Sequence, residues 1–462
     1  MIDQLFTAKN FRKIFDSQNR RGHDLASRFF PDAHAISSEI RDRAGRIRKI
    51  RAADDWRLKK DLVDQVNKIR TEISACRLRR SRLIDDQLQI TSDRVLSSRF
   101  RIDIAAKMGP GGKIVYVADG SPESYFVLKQ LQNNLRRAYS IKQSNRHDAA
   151  CQVRGALAGS LGYEIVRLDV SQFYESIDRK MLLEKLDSDG ILSTASKKFI
   201  RQVLDCYQKL SGMDRGLPRG IGISAYLAEL VLSEFDACVR CIEGVVLHCR
   251  YVDDIVLILM RDSSEIAALS IKGVAEEKLL EVGLRINEKK TRYFNLSDPA
   301  TLIRGRLARF EYLGYRFTKC RSGNRVEPRV TVEIGAKKIT KYKFRMTRSF
   351  SIYNRQRSVC RRRAFRELIA RLKFLTGNTK LVGNKSSAAT GIYYSNSLAN
   401  KTENLSLLDK QLVRLAKRTR SRNLVKRIKS MRFKVGFEER VYHNFNTHEL
   451  GRIVKGWKYA PR

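Results

Sequence analysis

"RYVDDIVLILM" (Arg250–Met260) sets two adjacent aspartates at the head of an almost unbroken apolar, β-branched run. Both "IVLILM" and the upstream "VVLH" (Val245–His248) have the composition of buried strands. Aspartate suits turn positions, so the pair reads as a hairpin turn between two strands. It reads equally as two carboxylates held at a strand junction to bind metal. The stretch alone leaves both readings open.

Composition narrows the choice. A chain of 462 residues with 42% hydrophobic content is long enough for two or three domains with proper cores. No opening apolar segment has the form of a signal peptide, and no run approaches a membrane span. The eight cysteines are scattered through apolar or helical contexts, the usage of a reducing compartment. A cytoplasmic protein is therefore expected. Cys238 and Cys241 form one C-x-x-C, but no second pair completes a zinc set.

A formal net charge of +43 calls for a densely anionic partner, nucleic acid or a membrane surface. Residues 321–462 hold 36 Lys and Arg against 8 Asp and Glu. Residues 1–100 hold 23 against 14, and residues 101–320 hold 33 against 27. A folded core beside a polyanion-binding region explains that asymmetry better than a uniformly solvated surface does. No lipid-anchor signal or strongly apolar face with a basic rim favours a membrane.

Periodicity divides the chain in the same way. Leu62, Val66, Ile69, Ile73 and Cys76 recur at helical spacing, and residues 1–95 read as a helical N-terminal extension that includes "FTAKNFRKIF". Gly and Pro then cluster around a strand-like "KIVYVA", opening a segment over 96–160. Strand and helix signals alternate over 161–320, an α+β pattern. Residues 321–462 are basic and helical. Phe365, Leu368, Ile369, Leu372 and Leu375 share one face there, as do Leu405, Leu408, Leu412 and Leu415.

A second acidic site lies about 80 residues before the first, where "EIVRLDV" ends near Asp169. Two strand-associated acidic sites in one α+β domain suit phosphoryl transfer, which uses hard oxygen ligands to hold two divalent cations. Asp169 and Asp253, with Asp254 beside them, supply such ligands if their strands are neighbours. Brought together without metal, the carboxylates would repel one another. Between them, "GLPRGIGIS" (Gly216–Ser224) reads as a glycine-rich turn into a helix capped by Ser224.

Taken in order, "LDVSQFY", "GLPRGIGIS", "YVDD", "GLRINEKKT" and "FEYLGYRF" resemble the palm motifs of reverse transcriptases over roughly residues 100–320. The resemblance implies a right-hand polymerase. Its fingers would lie over 96–160, its palm over 161–320 with an antiparallel sheet carrying the YVDD hairpin, and its basic helical thumb over 321–462. It implies that Asp169 and Asp253 bind two Mg²⁺ ions, with Mn²⁺ the alternative. Asp254 completes the cluster and the Val170 carbonyl assists. Tyr174 stands where the family excludes a ribose 2′-hydroxyl, while Pro218 and Gly220 fall where template and incoming nucleotide are positioned. Lys290 corresponds to a lysine near the triphosphate, and Arg146 and Lys113 to basic residues that grip it. Tyr312, Leu313 and Gly314 fall in the hairpin that grips the primer. Arg219 and Ile221 depart from the family's pattern in the template-positioning segment.

Within that family, "FTAKNFRKIF", "FRELIARLKFLTGN" and "GIYYSNSLAN" resemble bacterial defence-associated reverse transcriptases, and the opening resembles the first polymerase of a type 3 system. This implies a cytoplasmic bacterial enzyme making DNA from dNTPs on a partner non-coding RNA, alongside a second reverse transcriptase. Untemplated or protein-primed synthesis by the same fold, and a non-catalytic RNA-binding scaffold, are the alternatives. The full acidic set argues against the scaffold.

Overall fold

The computed structural model describes residues 2–52, 60–109, 112–159, 163–260, 265–295, 308–320, 329–380 and 389–457. They form two compact units, each built from two stretches of chain.

The first unit comprises Met1–Lys142 and Ile177–Leu230. Helices Ala8–Arg20, Pro31–Arg51 and Lys60–Leu96 supply most of its N-terminal part. Phe11, Ile14, Phe15 and Gln18 follow helical spacing and are buried, so the opening segment is core rather than tail. Phe11 stacks on Phe126 (centroids 5.4 Å apart), and Phe6 meets Phe199 edge-on at 4.9 Å. Strands β1 (Ile104–Met108) and β2 (Ile114–Ala118) form an antiparallel hairpin. The helix Pro122–Ala138 follows, capped by Ser121 with Pro122 in its first turn. The helix Thr194–Ser211 ends on Gly212 at φ +69°, the left-handed position glycine favours.

The second unit comprises Gln143–Ser176 and Val231–Arg462. Its main sheet runs β4-β5-β3-β6, all antiparallel, from β3 (Tyr163–Asp169), β4 (Val245–Tyr251), β5 (Asp254–Met260) and β6 (Arg292–Asn295). The apolar run of β5 is buried at every position from Ile255 to Leu259, as expected of a strand covered on both faces. One cover includes Ala149, Ala150 and Val153 of the helix Arg146–Leu157, which share a core with Ile165, Val256 and Ile258. Phe310, Tyr312 and Phe317 join it from a second sheet, β7-β8-β9 (Ala308–Tyr312, Tyr315–Cys320, Arg329–Ile334).

A separate core unites the C-terminal helices, with Leu368, Leu372, Leu408, Leu412, Phe433 and Trp457 in contact. Both apolar faces read from the sequence are used there. Of those two faces, Phe365 and Leu415 lie at its margin and the other residues are buried. Asp409 reaches this core but accepts hydrogen bonds from the Phe433 and Lys434 amides, which answers its burial.

Candidate active site

The hairpin between β4 and β5 has a two-residue loop, Val252–Asp253, with Tyr251 paired across to Asp254. The aspartate pair is therefore split. Asp253 is in the turn, whereas Asp254 is the first residue of β5. Val252 sits at φ +61°, a conformation a β-branched residue rarely takes, and such outliers mark places the surrounding structure over-determines.

Register then brings the acids together. Asp169 closes β3 and lies directly opposite Asp254 on the neighbouring strand. The Val170 amide donates to the Asp253 carbonyl at 3.1 Å, tying the loop to the end of β3. Beyond it, Ser171 N donates to Arg285 O (2.8 Å) and Asn287 N to Asp169 O (2.6 Å). These bonds close the Val170–Ile286 bridge without using the Val170 carbonyl.

Two cations answer the acids. Arg167 Nε and Nη2 donate to Asp254 Oδ1 and Oδ2, both at 2.8 Å, and its Nη1 donates to the Glu311 carbonyl at 2.8 Å. Lys290 Nζ lies 2.8 Å from Asp169 Oδ2. Burial pushes the Asp254 carboxyl above the usual range; the Arg167 bonds pull it back, and Asp169 and Asp253 push it up again. The Lys290 ammonium is raised, chiefly by its bond to Asp169. Arg167 was not singled out in the sequence, where an arginine in a strand reads as a solvent-facing residue. The available signal was its spacing: two residues before Asp169, it shares that residue's face of β3.

The other expected residues fall as follows. Tyr174 is half-buried in the short helix Phe173–Ser176, edge-on to Phe173. Arg146 donates from Nε and Nη2 to the Leu313 carbonyl (3.1 and 2.9 Å), so its guanidinium is committed to the hairpin turn after β7. That turn has Leu313 and Gly314 both at positive φ, the two-residue geometry that matches strand twist. Gly314 sits at φ +72°, the left-handed region that favours glycine.

Tyr312, Leu313 and Gly314 lie at the turn of the β7–β8 hairpin. Strand alternation turns Tyr312 inward to 1% exposure, and its hydroxyl donates to the Asp254 carbonyl at 3.3 Å. Leu313 is buried too, leaving Gly314 as the half-exposed part of the turn. Tyr312 supports the aspartate hairpin from beneath, and burial raises its phenol well above its ordinary value.

Lys113, Pro218 and Gly220 belong to the first unit. Lys113 is exposed just before β2. Gly220 has φ +104°, and a Cβ there would meet the Tyr116 carbonyl at 2.6 Å. Ser224 does not cap the following helix as expected. The helix starts two residues earlier, at Gly222, and the Ser224 hydroxyl donates back to the Pro218 carbonyl at 2.8 Å, fixing the turn.

Below the aspartate hairpin, Arg250 makes a buried bidentate pair with Asp236 (2.8 and 2.6 Å). His248 lies 3.4 Å from the same carboxylate but is pulled down to about 4, first by burial and then by Arg240 and Arg250 against Asp236. Its ring is neutral at pH 7. A neutral buried histidine binds fewer protons folded than unfolded, so its contribution is full above pH 6.5 and is lost as pH falls toward about 4. Thermal unfolding between pH 7 and 4 should show a loss on the order of 3 kcal/mol that His248→Leu largely removes. An unchanged pH slope in the variant would refute this assignment.

Residues 128–317 match the family described as reverse transcriptase (RNA-dependent DNA polymerase). This span is a reverse transcriptase domain. No curated protein matches the chain. Among solved structures, apo telomerase from Candida tropicalis, truncated from its C-terminal domain, is 14% identical over 48% of this chain and 54% of that one, with TM-score 0.34. Telomerase from Candida albicans in complex with the TWJ fragment of telomeric RNA is 13% identical over 78% and 63%, with TM-score 0.35. The chain spans less than two thirds of the length of either telomerase.

Among the described residues, no three His, Cys, Asp or Glu side chains converge into a ready metal cage. In the reverse transcriptase domain, Asp254 turns to Arg167 and Asp169 to Lys290. The donor set nevertheless fits Mg²⁺, which takes one or two carboxylates in polymerase sites and completes its shell with water and substrate phosphates. The Lys290 ammonium on Asp169 Oδ2 marks an oxygen where positive charge is favoured. No helix among the described residues is long and apolar enough to cross a membrane.

Proposed function

We propose that this chain is an RNA-directed DNA polymerase that adds dNTPs to a primer end by two-metal nucleotidyl transfer. The observation that carries the reading is the register: Asp169 and Asp254 face each other on adjacent strands, and Asp253 occupies the loop tied to Val170. Asp169, Asp253 and the Val170 carbonyl would hold the divalent cations, Mg²⁺ or Mn²⁺, which supply the charge that phosphoryl transfer requires. Arg167 fixes the orientation of the Asp254 carboxylate, and Tyr312 fixes that residue's backbone. Lys290, protonated and mostly exposed, would leave Asp169 for a triphosphate oxygen and donate its proton to departing pyrophosphate, a role its ion pair with Asp169 supports.

The +28 of residues 321–462 supports a structured RNA partner, held mainly through phosphates and weakened steeply by salt. Tyr394 and Tyr442 are exposed side by side there, with Lys380 over the Tyr442 ring, a surface suited to base stacking. The resemblance of the opening and C-terminal segments supports a cytoplasmic bacterial enzyme of antiviral defence, working with a non-coding RNA and a second reverse transcriptase.

The test is primer extension on an RNA template with each dNTP and rNTP in turn. Wild-type protein should extend with dNTPs only. Tyr174→Ala should relax the preference by roughly tenfold or more, because a void then accommodates the 2′-hydroxyl. Unchanged discrimination in the variant would remove Tyr174 from the nucleotide site, and absence of extension in both would count against the polymerase reading.

A further inference from the structure

The C-terminal helices of the second unit enclose a pocket that the polymerase chemistry does not use. It has a volume of about 150 Å³ and lies between helices Arg361–Thr376 and Thr447–Lys455. Arg363, Arg366, Arg371 and Arg452 line it, with Glu367 and Glu449. Arg371 is 5% exposed. Its Nη2 donates to Glu367 Oε2 at 3.0 Å, but its Nε and Nη1 are buried with no hydrogen-bond partner. Orphaned donors of a buried charge are costly and rare, and these belong to a residue that lines the pocket.

Both glutamates already have partners. Glu367 is shared, its Oε1 accepting from Arg363 Nε at 3.2 Å. Glu449 caps its own helix, accepting from the Asn446 amide at 3.0 Å. Four guanidiniums against two carboxylates leave a surplus of two positive charges, the complement of a dianion. Guanidinium forks match phosphate oxygens in shape as well as charge. Arg366 also lines an adjoining cavity of about 690 Å³ with Phe365 and Asn423, a size and lining suited to a nucleoside.

We propose that this pocket seats a phosphate monoester dianion, carried either on the 5′ end of a nucleic-acid strand or on a free nucleotide. Arg371 forms the floor of the seat, and Arg366 and Arg452 close over the phosphate from the rim. The proposal goes beyond the polymerase reading and does not depend on it.

The experiment uses the full chain and an Arg366→Ala, Arg452→Ala variant, whose altered side chains are both exposed and leave the core intact. Binding is measured to one short RNA made with a 5′-phosphate or a 5′-hydroxyl, and thermal unfolding is followed with adenosine 5′-monophosphate. Wild-type protein should prefer the phosphorylated RNA by roughly tenfold, and the variant should bind both alike. If instead the RNAs bind equally but the monophosphate raises Tm in wild type and not in the variant, the seat takes the free nucleotide. Equal RNA binding with no response to the monophosphate overturns the proposal. Primer extension on the 5′-hydroxyl RNA separates that failure from a failure of the polymerase assignment.

Discussion

Asp253→Asn should abolish DNA synthesis, lowering it by about 10³-fold or more, while the protein stays folded and keeps its RNA affinity. The residue sits in the two-residue loop between β4 and β5, so its side chain supports no strand pairing. Its charge pushes the Asp254 carboxyl up, and removing it relieves that repulsion. Activity should collapse, because a carboxamide cannot replace an anionic ligand where charge must be neutralised in the transition state. Synthesis within tenfold of wild type would remove Asp253 from the metal site. A collapse of both Tm and activity would assign it a structural role instead.

Arg167→Met should lower kcat by roughly 10²-fold with little change in KM, the pattern of a positioning residue whose loss displaces a reacting group by about an ångström. The guanidinium makes two bonds to Asp254 and one to the Glu311 carbonyl, so the variant frees the carboxylate and detaches it from the second sheet. Both partners are mostly buried, at 28% and 17% side-chain exposure, and the lost pair should cost about 1–3 kcal/mol. Arg167 is also what holds the Asp254 carboxyl down against burial and two neighbouring acids. Without it the carboxyl protonates at higher pH, and the acid limb of the activity profile moves upward. Arg167→Lys should recover the pH profile more than the rate, since one ammonium restores the charge but not the two-pronged bond. An Arg167→Met enzyme with wild-type kcat and an unshifted acid limb would refute the positioning role.

How much of this was legible depended on whether periodicity or partnership carried the signal. The β5 run, the acid closing β3 and the helical stripes through Leu368 and Leu408 are local patterns, and each forms the expected element. The "DD" pair lies at a hairpin turn, with Asp253 in the Val252–Asp253 loop and Asp254 opening β5, a division that only the register shows. Tyr312 reads as a contact residue by motif, yet the alternation of Phe310 and Tyr312 with Glu311 already assigns it to the inner face. Arg167 and Arg371 were passed over for one reason: a lone arginine in an amphipathic element is usually solvated, and only the fold reveals that these two are enclosed. Arg146 was noticed for its charge, but its partner, the Leu313 carbonyl, lies 167 residues away and leaves no local trace.

The most direct test of the central claim is to purify the protein with the RNA that accompanies it, supply Mg²⁺ and dNTPs, and sequence the product. DNA complementary to the co-purified RNA, absent from the Asp253→Asn preparation, is the predicted result. DNA that matches no bound RNA and persists after RNase treatment would contradict RNA-directed synthesis and assign the same carboxylates to an untemplated polymerase.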